Sequence, residues 1–196
     1  MRNKGFSLVE LLIVISIITI LTTMVTMGLL TAKGKAKIQA TRALIANIQA
    51  GIENYYGAYG DYPPTNLADM YQGGFSGNNG IESVVYCLST QDKGGPFLLG
   101  VMEDKYSNLD NDFIGIVPLR ELDDDWKNPI VYFHSRDYDN PSQGNIYSFK
   151  RAGDAIASQI SPATGAYYNP YTFQLWSAGP DEKNNNGLSD DVSNWR

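Results

Sequence analysis

The sequence predicts an α+β fold in which one long N-terminal helix packs on a small antiparallel β-sheet. Three observations support this fold class: a charge-free apolar run near the N-terminus, an amphipathic helical pattern directly after it, and β-branched and aromatic segments in the C-terminal third. With 196 residues, the chain can bury a sizeable core and still carry one extra element.

The apolar run near the N-terminus predicts a membrane span. No charged residue occurs from Leu11 through Ala32. A helix of this length covers about 33 Å, enough to cross a hydrocarbon core of about 30 Å. The apolar region of a cleaved secretory signal is only about 7–15 residues long. We therefore expect the first half of the long helix to be transmembrane.

The pattern after the span predicts that the same helix continues into a folded domain. No proline interrupts the chain from Phe6 to Tyr62, and Gly57, Gly60 and the prolines at 63–64 predict the helix end. Apolar residues recur at gaps of three, four or seven, which is typical of a helix with one buried face: Ile38, Ile45, Ile48, Ile52, Tyr55 and Tyr59.

The rest of the chain predicts loops, a short helix and strands. Residues 63–122 are divided by glycine-rich turns, with a short helix expected over 81–88. Segments 130–133, 146–149 and 171–176 are β-branched and aromatic and predict strands. These strands are expected to form the sheet that covers the amphipathic part of the long helix.

Composition argues against a nucleic-acid surface, and the lack of a nucleophile elbow (G-x-S-x-G) or a P-loop in the sequence argues against an enzyme. The formal net charge is −6, whereas nucleic-acid binding needs a concentrated basic surface. His134 is the single histidine, expected at the surface, and Cys87, in an apolar segment, is expected to be a buried, unreactive thiol. We expect a solvated turn at 123–125, although these carboxylates leave a glycosidase-type acid pair open. A membrane-tethered binding module is a further alternative.

Glu10 stands out because it lies at the edge of the apolar run. An acidic side chain within a membrane helix is costly and normally has a partner, so Glu10 is either an interfacial carboxylate or a paired one. Residues 2–5 are Arg-Asn-Lys-Gly, and Phe6 follows them. Together with Glu10 and the apolar helix, they resemble the leader of type IV prepilins.

This resemblance implies cleavage between Gly5 and Phe6 by a prepilin peptidase, followed by methylation of the new Phe6 amine. It divides the chain into a leader peptide (1–5), a transmembrane and assembly helix (6–32) and a periplasmic globular domain (33–196). In a helical stack of subunits, Glu10 of one copy would neutralise the Phe6 amine of its neighbour.

The C-terminal segment gathers carboxylates, amides and glycines between Ser177 and Trp195. It does not match an EF-hand, and composition leaves two readings open: a solvated turn, or a loop whose oxygens bind calcium. Ser177-Ala178-Gly179-Pro180-Asp181, the pair Asp190-Asp191, and Trp195 resemble the end of the major pseudopilin of type II secretion. Residues 124–132 also resemble a segment of that family, although Asp125 and Lys127 stand where it has Pro and Gly.

This second resemblance implies a calcium ion (Ca²⁺) in the C-terminal loop. Asp181, Asp190 and Asp191 would supply side-chain oxygens, and Ala178 and Lys183 would supply backbone carbonyls. Calcium would take the place of the disulfide that closes this region in many type IV pilins, in keeping with the single cysteine.

The resemblance implies a structural role for the chain. It would be a single-pass inner-membrane subunit with its C-terminal domain in the periplasm, and it would assemble with itself into the helical fibre of a type II secretion pseudopilus that helps drive protein export across the outer membrane. Minor pseudopilins and an inner-membrane platform with an ATPase would be its other partners. A type IV pilus subunit for adhesion, motility or DNA uptake is the alternative.

Overall fold

The computed structural model describes residues 7–70, 77–140, 149, 153 and 155–196. The chain divides into two compact units, residues 1–37 and residues 38–196. The predicted leader, Gly5 and Phe6 lie outside the described residues, and so does most of the predicted strand at 146–149. The predicted α+β architecture is confirmed by a 52-residue helix and antiparallel sheets.

The long helix α1 (Leu8–Tyr59) begins two residues after Phe6 and contains the predicted span. Within the first unit, its described large apolar side chains from Leu8 to Leu30 are 43–80% exposed. The helix is long and apolar enough to cross a membrane, and its most apolar 18-residue segment has no buried residue. Since exposed apolar surface of this size is unfavourable in water, this segment requires lipid or other helices around it.

In the second unit, α1 buries apolar side chains of one face from Leu44 onward. Ile48 and Ile52 are fully buried, and each contributes about 1.5–3 kcal/mol of burial free energy. The helix ends at Gly60, whose φ of +81° lies in the left-handed region that glycine adopts readily. Its backbone N–H donates to the carbonyl of Tyr56 (2.7 Å). The predicted amphipathic face and the glycine stop are both confirmed.

The predicted short helix is confirmed as α2 (Asn79–Leu88), which is almost entirely buried. Gly80 allows α2 to approach the sheet closely, because a Cβ at this position would lie 2.3 Å from the carbonyl oxygen of Tyr132. Cys87 is buried in α2, and desolvation by burial raises the pKa of its thiol. The expectation of a buried thiol is therefore confirmed.

In the part of the chain that the structure describes, seven short strands form three antiparallel sheets. The strands are β1 (Tyr106–Ser107), β2 (Phe113–Ile114), β3 (Val117–Pro118), β4 (Glu121–Leu122), β5 (Val131–His134), β6 (Phe173–Ser177) and β7 (Val192–Ser193). Strand β1 pairs with β4, and β2 with β3. The third sheet has the order β5-β6-β7, with Val131 opposite Trp176 and Ser177 opposite Val192.

The three-stranded sheet is covered on both faces. Tyr132 and Leu175 belong to the core cluster that also contains Ile48, Ile52 and α2 residues. Phe133 and Trp176 belong to a second cluster. Their rings stack with centroids 5.9 Å apart. The sequence predicted one covered face, so the second core is a finding of the structure.

Two surface predictions, for His134 and for the turn at 123–125, were wrong. His134 is only 7% exposed, and Asp123 and Asp124 are buried although a solvated turn was expected. The Asp124 carboxylate accepts hydrogen bonds from the backbone N–H groups of Trp126 (2.8 Å) and Asn128 (2.9 Å) and from the Ser177 hydroxyl (2.7 Å). It therefore holds the turn before β5 against β6, a contact between residues 53 positions apart.

Candidate functional site

The first candidate site is the N-terminus of α1, where Ser7 and Glu10 form a capping box. The backbone N–H of Ser7 donates to Oε2 of Glu10 (2.9 Å), and the backbone N–H of Val9 donates to Oγ of Ser7 (3.3 Å). A Ser followed three residues later by Glu satisfies N–H groups that a helix start leaves unpaired. This intramolecular role of Glu10 was not predicted, although the S-x-x-E spacing in the sequence indicates it.

Hydroxyl side chains in the predicted span hydrogen-bond within their own helix. Each donates to the carbonyl four residues earlier, at 2.7–2.8 Å: Ser16, Thr19, Thr22, Thr23 and Thr26. Unpaired polar groups are costly in lipid, so these bonds let the segment lie in a membrane without an outside partner. The same bonds are preserved if the helix moves into a bundle of helices.

The second candidate site is the C-terminal loop. Oδ2 of Asp190 accepts from the backbone N–H of Asp181 (3.1 Å), and Oδ1 of Asp181 accepts from the backbone N–H of Lys183 (2.8 Å). Gly179 has a φ of +66°, and a Cβ there would lie 2.4 Å from the carbonyl oxygen of Asp190. The structure thus brings Asp181 and Asp190 together through a close approach that requires glycine.

Asp191 faces the neighbouring turn of this loop. Its Oδ2 accepts from the backbone N–H groups of Asn185 (2.9 Å) and Gly187 (2.8 Å). Burial raises the pKa of Asp191 to about 6, with a further contribution from the charge of Asp190, while these hydrogen bonds act in the opposite direction. A buried carboxylate whose charged form is disfavoured is one that a cation would stabilise.

The loop supplies oxygen donors of the type that calcium prefers. Ala178 is buried next to the end of β6, and the carbonyl of Lys183 lies 3.5 Å from the side-chain amide of Asn185. Among the described residues, Asp181, Asp190 and Asp191 do not form a group with one oxygen from each within 4.8 Å of the others. The donor chemistry fits calcium, but binding by all three side chains requires at least one of them to rotate.

Two buried asparagines, neither of them a predicted site residue, attach this loop to the rest of the unit. Asn184 accepts from Nε1 of Trp176 (2.9 Å) and donates to Oδ1 of Asn186 (3.0 Å). Asn186 in turn donates to the carbonyl of Ala155 (2.9 Å). These bonds connect the loop to β6 and to the segment that follows residue 154. In the sequence, the run of three asparagines before Gly187 was the feature that could have indicated this role.

His134 can be buried because its backbone N–H and both of its ring nitrogens have hydrogen-bond partners. Its backbone N–H donates to Thr65 Oγ1 (2.9 Å), and its Nδ1 accepts from the backbone N–H of Arg136 (3.0 Å). Nε2 lies 3.2 Å from Oδ1 of Asp61, so a neutral ring with its hydrogen on Nε2 satisfies both contacts. Desolvation by burial lowers the pKa of His134, although the hydrogen bond to Asp61 opposes the shift.

We expect His134 to make the folded protein less stable on acidification. Because its folded pKa is lowered, the unfolded chain binds the proton first, and the free energy of unfolding falls as pH drops below the unfolded value of about 6.5. His134→Gln, which keeps an N–H donor toward Asp61, should lose this share of the pH dependence. Denaturant unfolding of both proteins between pH 5 and 7.5 checks this, and parallel stability curves would contradict it.

The N-terminal segment of the chain matches a known protein family. Residues 1–26 match the family described as the prokaryotic N-terminal methylation motif. None of the curated proteins or solved structures gives a significant match to the chain. The matched range includes Gly5, Phe6, Glu10 and most of the apolar run, and it confirms the predicted N-terminal motif.

Proposed function

We propose that this chain, which is type IV pilin-like by its N-terminal motif, is a structural subunit of a type II secretion pseudopilus. The motif indicates a structural rather than a catalytic protein, and the exposed apolar helix behind it fits a membrane-anchored one. The observation that carries the proposal is this motif on a helix that is bare from Leu8 to Leu30 and buried on one face from Leu44 onward.

The proposed working cycle is mechanical. A prepilin peptidase cleaves between Gly5 and Phe6, and the subunit waits in the inner membrane with its C-terminal domain in the periplasm. Assembly transfers the apolar part of α1 from lipid into a bundle of identical helices, where its surface stays covered. An ATPase of the inner-membrane platform supplies the energy, and minor pseudopilins are further partners.

Glu10 is proposed to set the axial position of each subunit. In the unassembled chain its carboxylate accepts from the backbone N–H of Ser7. In the fibre it would neutralise the methylated Phe6 amine of a neighbouring copy. Either charge left unpaired in a low-dielectric helix bundle is costly, so the pairing favours one register.

The C-terminal region favours a pseudopilus over a type IV pilus. The single cysteine, Cys87, cannot close this region with an internal disulfide. Instead, the described part of the loop is held by carboxylates and buried asparagines. We propose that Asp181, Asp190 and Asp191 bind calcium there, with carbonyls of Ala178 and Lys183, as in the family that the segment resembles.

Deletion of the gene in its host tests the proposed function. We expect proteins destined for the medium to accumulate in the periplasm, and export to return with the wild-type gene. Surface fibres, adhesion and twitching motility should not change. Normal export combined with loss of surface fibres would identify a pilus subunit instead, and normal export with a dispersed, unprocessed protein would favour a tethered binding module.

A further inference from the structure

A second group of carboxylates comes from the part of the sequence that lies between the end of α1 and the start of β5. Glu82 belongs to α2, Glu121 to β4 and Asp110 to the loop between β1 and β2. One carboxylate oxygen of each residue lies within 4.8 Å of one from each of the others. Among the described residues, these three side chains therefore lie close enough together to contact a single metal ion.

Glu82 is the member that points to a ligand. It is 1% exposed, and neither of its carboxylate oxygens accepts a hydrogen bond from any residue that the structure describes. Burying a carboxylate without donors costs several kcal/mol or more, which is why buried charges are usually paired or bind metals.

Glu121 is held differently, and its position is well defined. Its carboxylate accepts from the side-chain amide of Asn78 (2.8 Å) and from the backbone N–H of Leu109 (2.9 Å). These donors satisfy part of its hydrogen-bonding capacity and orient it. A carboxylate has about four lone-pair sites, so Glu121 can still offer an oxygen toward Glu82.

The loop before β2 has the spacing of a cation-binding segment. Asn108, Asp110 and Asp112 alternate along it, as do the first three ligand positions of an EF-hand loop. Oδ1 of Asn108 accepts from the backbone N–H of Asp112 (3.2 Å), and Asn111 between them has a φ of +59°. This alternation was present in the sequence, but its partners Glu82 and Glu121 are distant along the chain.

We propose that Glu82, Asp110 and Glu121 form a calcium site, with Asp112 as an adjacent carboxylate. The donors are all oxygens, which suit hard cations such as calcium and magnesium rather than zinc or copper. Calcium is the better fit because it accepts six to eight ligands in flexible geometry, whereas magnesium requires a nearly ideal octahedron. A bound ion would link α2, β4 and the loop before β2, and would supply the counter-charge that Glu82 lacks.

Counting bound calcium tests this site separately from the C-terminal loop. The full-length protein is purified in detergent, stripped with EGTA and returned to about 1 mM calcium, within the range of weak extracellular sites. Native mass spectrometry then gives the number of ions. Glu82→Gln keeps the shape of the side chain and removes its charge, and we expect it to hold one ion fewer than the wild type. Glu53→Gln, the same change at an exposed residue, should not alter the count.

The Asp190→Ala variant separates the two calcium proposals. It leaves Glu82 intact, so we expect it to keep one ion, and the double variant with Glu82→Gln should keep none. If Asp190→Ala holds no calcium, or if Glu82→Gln holds as many ions as the wild type, the Glu82 site is overturned. If Glu82→Gln does not fold, Glu121→Gln replaces it after its own folding is checked by circular dichroism. We expect this variant also to hold one calcium ion fewer than the wild type, and an unchanged count would overturn the site.

Discussion

Glu10→Gln is expected to insert into the membrane normally but to abolish fibre assembly. The amide can still accept the hydrogen bond from Ser7 that closes the capping box, but it cannot neutralise the Phe6 amine of a neighbouring subunit. Breaking one partner of a buried ion pair costs about 3–5 kcal/mol, and this cost repeats at each subunit contact. Electron microscopy and cysteine crosslinking of fibres check this result.

Ser7→Ala is the matched control for this experiment. It removes the side-chain oxygen that caps Val9 while keeping the Glu10 carboxylate, at a cost of about 1 kcal/mol in helix stability. We expect it to assemble. If Glu10→Gln assembled like the wild type, the intersubunit pairing would be wrong; if Ser7→Ala also failed, the helix start rather than the charge would be the requirement.

Calcium removal is expected to lower the melting temperature of the full-length protein by about 5–10 °C for each site that holds calcium. A ligand present at about 100 times its Kd stabilises the folded state by about 2.7 kcal/mol, and 1 kcal/mol corresponds to about 2–4 °C in a protein of this size. Asp190→Ala should lose the share of this response that comes from the C-terminal loop. Melting curves with and without EGTA, read together with the calcium count, measure that share.

Asp92→Ala is the control for this measurement, because Asp92 is exposed and lies outside both proposed calcium sites. We expect it to respond to EGTA like the wild type. Identical melting of the wild type with and without EGTA would remove calcium from both the loop and the Glu82 site. A wild-type response that Asp190→Ala retains in full would assign the effect to Glu82 and its neighbours alone.

Local patterns in the sequence predicted most of the secondary structure. The spacing of Ile48 and Ile52 with their neighbours predicted the buried face of α1, and Gly60 predicted its end. The spacing of Ser7 and Glu10 also indicates where the helix starts, although this start was not predicted from it. These features depend on residues within one or two helical turns of each other, so they can be read without knowing the fold.

Lys127 adopts a backbone conformation that its residue type does not favour. Its φ of +65° lies in the left-handed region that favours glycine. Glycine is also the residue at this position in the family that residues 124–132 resemble. Its Nζ donates to the carbonyl of Asp104, and Asp124 closes the same turn through the N–H of Asn128. Contacts around the turn therefore hold a lysine where the local preference is for glycine.

The sequence by itself determined an apolar N-terminal segment long enough to cross a membrane, the long helix that continues from it, the N-terminal motif and the oxygen-rich C-terminal loop. Only the tertiary structure decided that His134 and Asp124 are buried, that the three-stranded sheet has a second covered face, and that Glu82 meets Glu121. The physical reason is range: helix periodicity and capping act between near neighbours, whereas burial and charge clustering depend on segments that only folding brings together.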